Sequence, residues 1–494
     1  MKFPSTALMA AFLSLPIRPD STADPSGAPD PGIEQRIERV RDGLLPPVLV
    51  EGQPVERTTL AARMAALRVP GVGIAVIHHG RIDWARGFGQ AKIGGAPVAA
   101  DTLFQAGSIS KVVAAFGVLC LSQEGRLDLD ADVDRYLAGW KIPDSAFTGR
   151  EMVTLRRLLG HCAGVSGAAF GGYSTKAPIP TVQEILEGSP PAKSPPVVVD
   201  HLPGEAWQYS DGGYLVIQKA VADSTGTSFS RLMQDVVLGP LGMDHSTYFQ
   251  PLPPERLGEA ATPYLGLHRS APEALPGGPL VFPETAAKGL WTTPTDLARF
   301  AVELQASLSG HGRRLLSAAS AMEMLTPGLG DQGLGPEIGG TPARRFFSEE
   351  GANLGYRCEM VAYLDGEGAV VMTNSDSGDP LVDQVLASVA TEYGWPDFAP
   401  PVRTVVPIDP ASLGEFVGRY RLEAVRVCLI FRQNGQLFIR IAHQKSFRLL
   451  PMAARKFFIT AVDATVAFDA SVKGRAPRLV IHQDGRDFPA DRLE

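Results

Sequence analysis

Phe104-Gln105-Ala106-Gly107-Ser108-Ile109-Ser110-Lys111, running on into Val112-Val113-Ala114-Ala115-Phe116, is the stretch on which the reading of this chain turns. From Ile109 to Glu124 nearly every residue is apolar, and Gly125 follows, as at the end of a buried helix. Ser108 stands where that helix opens. Spaced i and i+3, Ser108 and Lys111 share one helix face, with Cβ atoms about 5–6 Å apart. The positive end of the helix dipole favours an alkoxide or oxyanion at Ser108. The apolar run around Lys111 disfavours its charged form, so its amine becomes a usable base. A serine activated in this way needs no histidine. A bare Ser-x-x-Lys arises easily by chance, but this tetrad is the only one in the chain and opens its most apolar helix.

Outward from this segment the elements alternate. Val72 to Ile77 and Ile82-Asp83-Trp84 flank a turn at His79-Gly80, a hairpin signal. Before it, Ile33 to Leu45 predicts a helix, and Thr59 to Arg68 a second with Leu60, Met64 and Leu67 on one face. After it, Thr154 caps a helix carrying Leu155, Leu158 and Leu159. Tyr214 to Leu241 predicts one more helix, as does Asp296 to Ser307, begun by Thr295 or Asp296. Pro251 to Pro283, rich in Pro and Gly, reads as a surface excursion. Met360 to Leu364 and Ala369 to Thr373 flank Asp365-Gly366-Glu367-Gly368 as a second hairpin, and Leu381 to Tyr393 is helical. Strands at both ends with helices between them predict an α+β fold, helices packed on an antiparallel sheet.

Beyond Tyr393 the pattern changes. Trp395-Pro396 through Pro400-Pro401 and Pro407-Ile408-Asp409-Pro410 mark a linker. Short alternating runs follow at 427–431, 437–441, 456–459, 465–468 and 478–482, separated by turn signals such as Asn434-Gly435 and Asp484-Gly485. They predict a small all-β domain of barrel type. The expected division is a signal peptide and linker at 1–32, a catalytic domain at 33–395, a Pro-rich linker at 396–410 and a β-barrel-like domain at 411–494.

Composition narrows the function. With 45% hydrophobic and 20% charged residues in 494, the chain has the balance of a soluble globular protein. A formal charge of −7 argues against nucleic acid or an anionic membrane as partner. Lys2 followed by the apolar run Ala7 to Leu15 and a polar Pro/Asp/Ser segment is expected to be a secretory signal, making the protein periplasmic or secreted; it is cytoplasmic if that segment is not a signal. The run is too short to span a bilayer, and no membrane span is expected elsewhere. The four cysteines form no Cys-x-x-Cys pair and no His/Cys spacing suggests zinc, so neither metal nor cofactor is expected.

A second chemical element is Tyr209-Ser210-Asp211, between Pro203-Gly204-Glu205 and Gly212-Gly213. Glycines there imply a tight loop projecting side chains into a cleft, where a tyrosine can relay a proton. Taken in order, Val69-Pro70-Gly71 through Ile77, Phe104 through Lys111, Val153 through His161, Pro203 through Asp211, and Gly289-Leu290-Trp291 through Ala298 resemble the serine β-lactamase-related family. That family, also called penicillin-binding-protein-like, includes class C β-lactamases, D-amino-acid peptidases and esterases, and the resemblance runs from about Arg36 to Tyr393. The C-terminal β-domain resembles a module often appended to such proteins.

The resemblance implies Ser108 as acylated nucleophile, with Lys111 and Tyr209 as proton-transfer groups; which of the two takes the first proton stays open. It implies an oxyanion hole made of the backbone N–H groups of Ser108 and Ala352. Two positions depart from the family pattern: Asp211 stands where Asn is usual, and Glu349, ahead of Gly351, stands where Lys or His is usual. Asp211, Glu349 and Gly351 are therefore expected to line the substrate site, with Glu349 reversing the local charge unless it turns outward or pairs with Arg344 or Arg345. The expected function is a serine hydrolase of amide or ester bonds in a small-molecule or peptide substrate, of unspecified oligomeric state. A β-lactamase and a non-catalytic binding or self-assembling member of the fold are the alternatives. Gly328 to Gly333 mimics a dinucleotide loop but opens no helix, His161 reads as a structural residue at a helix end, and His78 and His79 read as turn residues, not ligands.

Overall fold

The computed structural model describes residues 31–493 apart from 168–169, 313–314, 423–425, 442–444 and 484–485. The segment read as a signal and the turn at Asp484-Gly485 lie outside the described residues.

Alternating apolar residues build the central sheet. Strands β1 (Gly71–His78), β2 (Arg81–Gly89), β3 (Glu337–Thr341), β4 (Arg344–Asn353), β5 (Tyr356–Tyr363) and β6 (Gly368–Thr373) form one antiparallel sheet in the order β2-β1-β6-β5-β4-β3. Successive strand residues face opposite sides. Val72, Ile74, Val76, Val361 and Val371 face one layer, while Ala75, Ile77, Met360, Val370 and Met372 face the other. The first layer holds α1 (Pro31–Asp42) and α2 (Leu60–Leu67), together with the helix that ends the domain. The second layer is larger and is centred on α3 (Ile109–Gln123), of which every residue from Ile109 to Leu121 is buried. This is the α+β architecture expected from the sequence.

Local signals set several boundaries. Thr59 caps α2 and Thr154 caps α4 (Leu155–Leu159), each accepting a backbone N–H with its hydroxyl. The helix expected from Tyr214 to Leu241 is instead α5 (Asp211–Thr225), stopped by Gly226 at φ +66°, followed by short helical pieces up to Leu241. A glycine in the left-handed region closes a helix at little cost, and that local signal outweighs the continuing apolar period. After α6 (Thr285–Lys288) comes α7 (Pro294–Leu308), which starts two residues before the expected Asp296: Thr293 is the cap, and Pro294 occupies the first turn, where its missing N–H costs nothing. The excursion from Pro251 to Pro283 is not all surface, since Ala261, Tyr264, Val281 and Phe282 are buried. Helix α8 (Asp379–Tyr393) ends the domain.

The C-terminal strands β7 (Gly418–Arg421), β8 (Val427–Gln433), β9 (Gln436–Ile441), β10 (Phe447–Ala453), β11 (Lys456–Ile459), β12 (Ala464–Phe468), β13 (Arg478–Gln483) and β14 (Arg486–Arg492) close into a barrel in sequence order. Its own core includes Phe416, Tyr420, Ile430, Phe457, Val466 and Leu479. The barrel meets the larger domain through Val48 packed on Leu450 and Phe458 and through a two-residue parallel pairing of Leu49-Val50 with Val402-Arg403. Among the described residues no helix is long and apolar enough to cross a membrane.

Candidate active site

Ser108 sits at the first turn of α3 with helical backbone angles, φ −65° and ψ −18°. Gly107 before it has φ +52°, and a Cβ there would lie 2.5 Å from the backbone nitrogen of Ala352. Gly351 is confined from the other side, where a Cβ would lie 2.1 Å from the carbonyl oxygen of Ala106. These two glycines let the serine turn press against the backbone of β4. The Ala352 N–H is thereby brought beside the Ser108 turn, and Gly351 acts through backbone proximity. Ser110 fastens the same turn: its hydroxyl donates to the Gly107 carbonyl (2.6 Å) and accepts from the Leu290 N–H (3.0 Å).

Lys111, fully buried, donates to Ser108 Oγ at 3.1 Å and to the Ala287 carbonyl at 3.1 Å, and its Nζ lies 2.7 Å from Asp211 Oδ1. Three acceptors around Nζ match the three N–H groups of an ammonium. Beyond the apolar run of α3, residues from α5 and α6 supply two of these oxygen atoms. Tyr209 donates from its phenol to Ser108 Oγ at 2.8 Å, and Lys111 Nζ lies 4.8 Å from the centre of its ring. Burial, reinforced by the neighbouring carboxyls of Glu349 and Asp211, pushes the phenol well above its ordinary range. The serine oxygen is thus flanked by one nitrogen and one phenol, both at hydrogen-bond distance.

The segment carrying Tyr209 is held by His161. Its carbonyl accepts from the Gln208 N–H (2.7 Å), its Nδ1 accepts from the Ser210 N–H (3.1 Å), and its ring centre lies 4.5 Å from that of Tyr209. Burial, with the charge of Lys111 added, lowers the imidazole to about 3, so it stays neutral and can accept at Nδ1. Ser210 then caps α5, accepting from the Gly213 N–H and donating to the Ser166 carbonyl.

Asp211, the first residue of α5, lies between two lysines, with Oδ2 3.4 Å from Lys288 Nζ. Burial alone would raise this carboxyl, but Lys111 and Lys288 outweigh it and hold it below its usual range. Lys288 was not legible in the sequence as a site residue. It reaches the site because Phe104-Gln105 pairs with Trp291-Thr292, which brings α6 against α3.

Glu349 is buried on the inward side of β4, with Phe347, Gly351 and Asn353. It does not turn outward, and Arg344 pairs with Asp365 instead (2.8 Å). Burial pushes its carboxyl well above the usual carboxylate range, against the opposing pull of Lys111. Burial thus works against the negative charge expected at Glu349, while Lys111 favours it. Glu284, just before α6, is a further buried carboxyl that sequence reasoning missed. Burial raises it to about 7, and it lines a cavity of about 70 Å³ with Phe170, Tyr173, Lys193 and Ser194.

Residues 57–390 match the Beta-lactamase family model. The chain belongs to the β-lactamase family. It is a serine hydrolase of that fold, as the resemblance implied. Residues 402–491 match a domain of unknown function, DUF3471, which coincides with the barrel. Among curated relatives of the β-lactamase family, penicillin-binding protein 4* of Bacillus subtilis is 25% identical over 416 residues, covering 81% of this chain and 89% of its own length. Esterase EstB of Burkholderia gladioli is 30% identical over 236 residues, covering 44% of this chain and 57% of its own length. Among solved structures, the octameric penicillin-binding protein homologue from Pyrococcus abyssi superposes with a TM-score of 0.60 at 20% identity, covering 87% of this chain and 98% of that one. D-amino acid amidase from Ochrobactrum anthropi SV3 with L-phenylalanine gives 0.55 at 22%, covering 73% and 99%.

Proposed function

We propose that the protein hydrolyses amide or ester bonds through an acyl-enzyme on Ser108. The observation that carries this is the placement of Ser108 Oγ 3.1 Å from Lys111 Nζ and 2.8 Å from the Tyr209 phenol oxygen. In the working form the Lys111–Tyr209 pair holds one proton fewer than the arrangement in which both donate to Ser108. Ser108 then attacks the substrate carbonyl, its proton passes to that pair, and the Ser108 and Ala352 N–H groups bind the oxyanion. Collapse returns the proton to the leaving amine or alkoxide, and Tyr209, bonded directly to Oγ, is the donor nearest the scissile bond. Water repeats the sequence to release the acid.

Asp211 acts through the lysines, and His161 through the backbone beside Tyr209. Peptidase- or esterase-type substrates are favoured over β-lactams, consistent with an esterase and an amidase among its relatives. Export through residues 1–32 belongs to the same proposal, supported by the Lys2 start and the Ala7–Leu15 run. The test is labelling with a fluorophosphonate, coupled to a hydrolysis screen of esters, D- and L-aminoacyl amides and β-lactams, on wild type and Ser108→Ala. Equal turnover by the two proteins would refute the assignment.

A further inference from the structure

At the end of the sheet, two turns that are far apart in sequence meet. The β1–β2 turn carries His78 and His79; the β5–β6 turn carries Glu367, 289 positions beyond His78. The turns are joined by the Gly80 N–H donating to the Gly366 carbonyl at 2.8 Å. His78 Nδ1 lies 2.9 Å from Glu367 Oε1, and His79 Nδ1 lies 3.7 Å from the same oxygen. One ligand atom from each of the three residues falls within 4.8 Å of the others. A tetrahedral zinc with bonds of about 2.0–2.1 Å places its ligand atoms roughly 3.4 Å apart, a spacing bracketed by the two short separations.

We propose that His78, His79 and Glu367 form a binding site for a borderline divalent metal ion of the zinc type. Two imidazoles and one carboxylate suit zinc better than magnesium or calcium, which prefer oxygen ligands throughout. The carboxylate is already oriented by its surroundings: Glu367 Oε1 accepts from the His79 N–H (3.2 Å) and Oε2 accepts from Trp395 Nε1 (3.3 Å). The His78 ring is steadied by Tyr393, centre to centre 5.1 Å. His79 has φ +53° and a side chain 74% exposed, so the remaining coordination positions open to water. As a ligand His78 would offer Nδ1 with its single ring proton on Nε2. The ion would pin both turns to the segment after α8 that leads to the barrel. In the sequence alone both histidines read as turn residues and not as ligands, because the third ligand arrives only through sheet pairing.

The test uses the full chain, without a histidine tag and stripped with chelator, titrated with zinc chloride by calorimetry and with cobalt(II) by visible absorption. Wild type should bind about one equivalent of zinc with micromolar affinity, show a cobalt d–d band and gain thermal stability. His79→Asn, which tolerates the left-handed backbone, and Glu367→Gln should each weaken binding at least about tenfold. Fluorophosphonate labelling of Ser108 serves as an independent check that each variant is folded. If His79→Asn titrates like wild type, or wild type gives no cobalt band, the three residues are only a hydrogen-bonded clamp and the proposal fails.

Discussion

Asp211 Oδ1 lies 2.7 Å from Lys111 Nζ, so the lysine next to the nucleophile works against an ionised partner. Removing that negative charge favours the neutral amine. Asp211→Asn should therefore shift the rise of kcat/KM with pH towards lower pH, since a close opposite charge is lost. A pH–rate profile on an activated ester checks this, and a profile that stays put would show that Asp211 does not set the proton affinity of the site.

Ser108→Ala should abolish labelling and turnover while leaving the thermal unfolding midpoint nearly unchanged. Lys111→Arg should be nearly inactive too, because guanidinium cannot give up its proton in this range. Substantial ester hydrolysis by the arginine variant would mean that the lysine serves only as a fixed charge.

Burial favours the uncharged form of the Glu349 carboxyl, and Glu349→Gln puts a neutral side chain of the same shape in its place. Activity at pH 7 should stay within a few-fold of wild type. Glu349→Lys buries a second cation near Lys111 and should cost on the order of 3–5 kcal/mol in stability by urea unfolding. A glutamine variant that is inactive yet folded would show that the carboxyl itself takes part in the reaction.

Glu284, raised to about 7 by burial, makes a pH-dependent stability prediction. Its folded-state value lies above its unfolded one, so below the unfolded value both states keep the proton and there is no penalty. Between the two values the unfolded chain ionises while the folded one does not, and the fold loses stability until the folded value is passed. Glu284→Gln should thus gain stability relative to wild type as pH rises from about 4.5 to 7, reaching a plateau of about 3 kcal/mol. Urea midpoints across that range measure it; a difference independent of pH would show that the carboxyl is not desolvated.

The barrel has its own core and touches the larger domain chiefly through Val48 on Leu450 and Phe458 and the short Leu49-Val50 pairing. Residues 407–494 expressed alone should therefore unfold cooperatively. A broad, non-cooperative melt would mean that the catalytic domain supplies part of its stability.

The alternating strand residues and the apolar helix at Ile109 made the α+β fold legible, because burial at fixed periods is written locally. Ser108 and Lys111 were legible for the same reason: four residues of one helix already bring them together. Strands 418–421, 447–453 and 486–492 were not, since Gly418-Arg419-Tyr420-Arg421, Pro451 and Pro489 interrupt the apolar alternation. Barrel closure supplies their hydrogen-bond partners from neighbouring strands.

The amino-acid sequence by itself pointed to Ser108 and Lys111, to the Tyr209 loop and to a two-part organisation of the chain. Tertiary structure decided the charges. Whether Lys111 meets apolar groups or three oxygen acceptors, whether Asp211 faces one lysine or two, and whether Glu349 is ionised all depend on residues brought in by β4, α5 and α6. Local pattern fixes which side chains share a face, because backbone geometry repeats over a few residues. Ionisation instead reflects desolvation and partners a few ångströms away in space, and those distances exist only after the chain has folded.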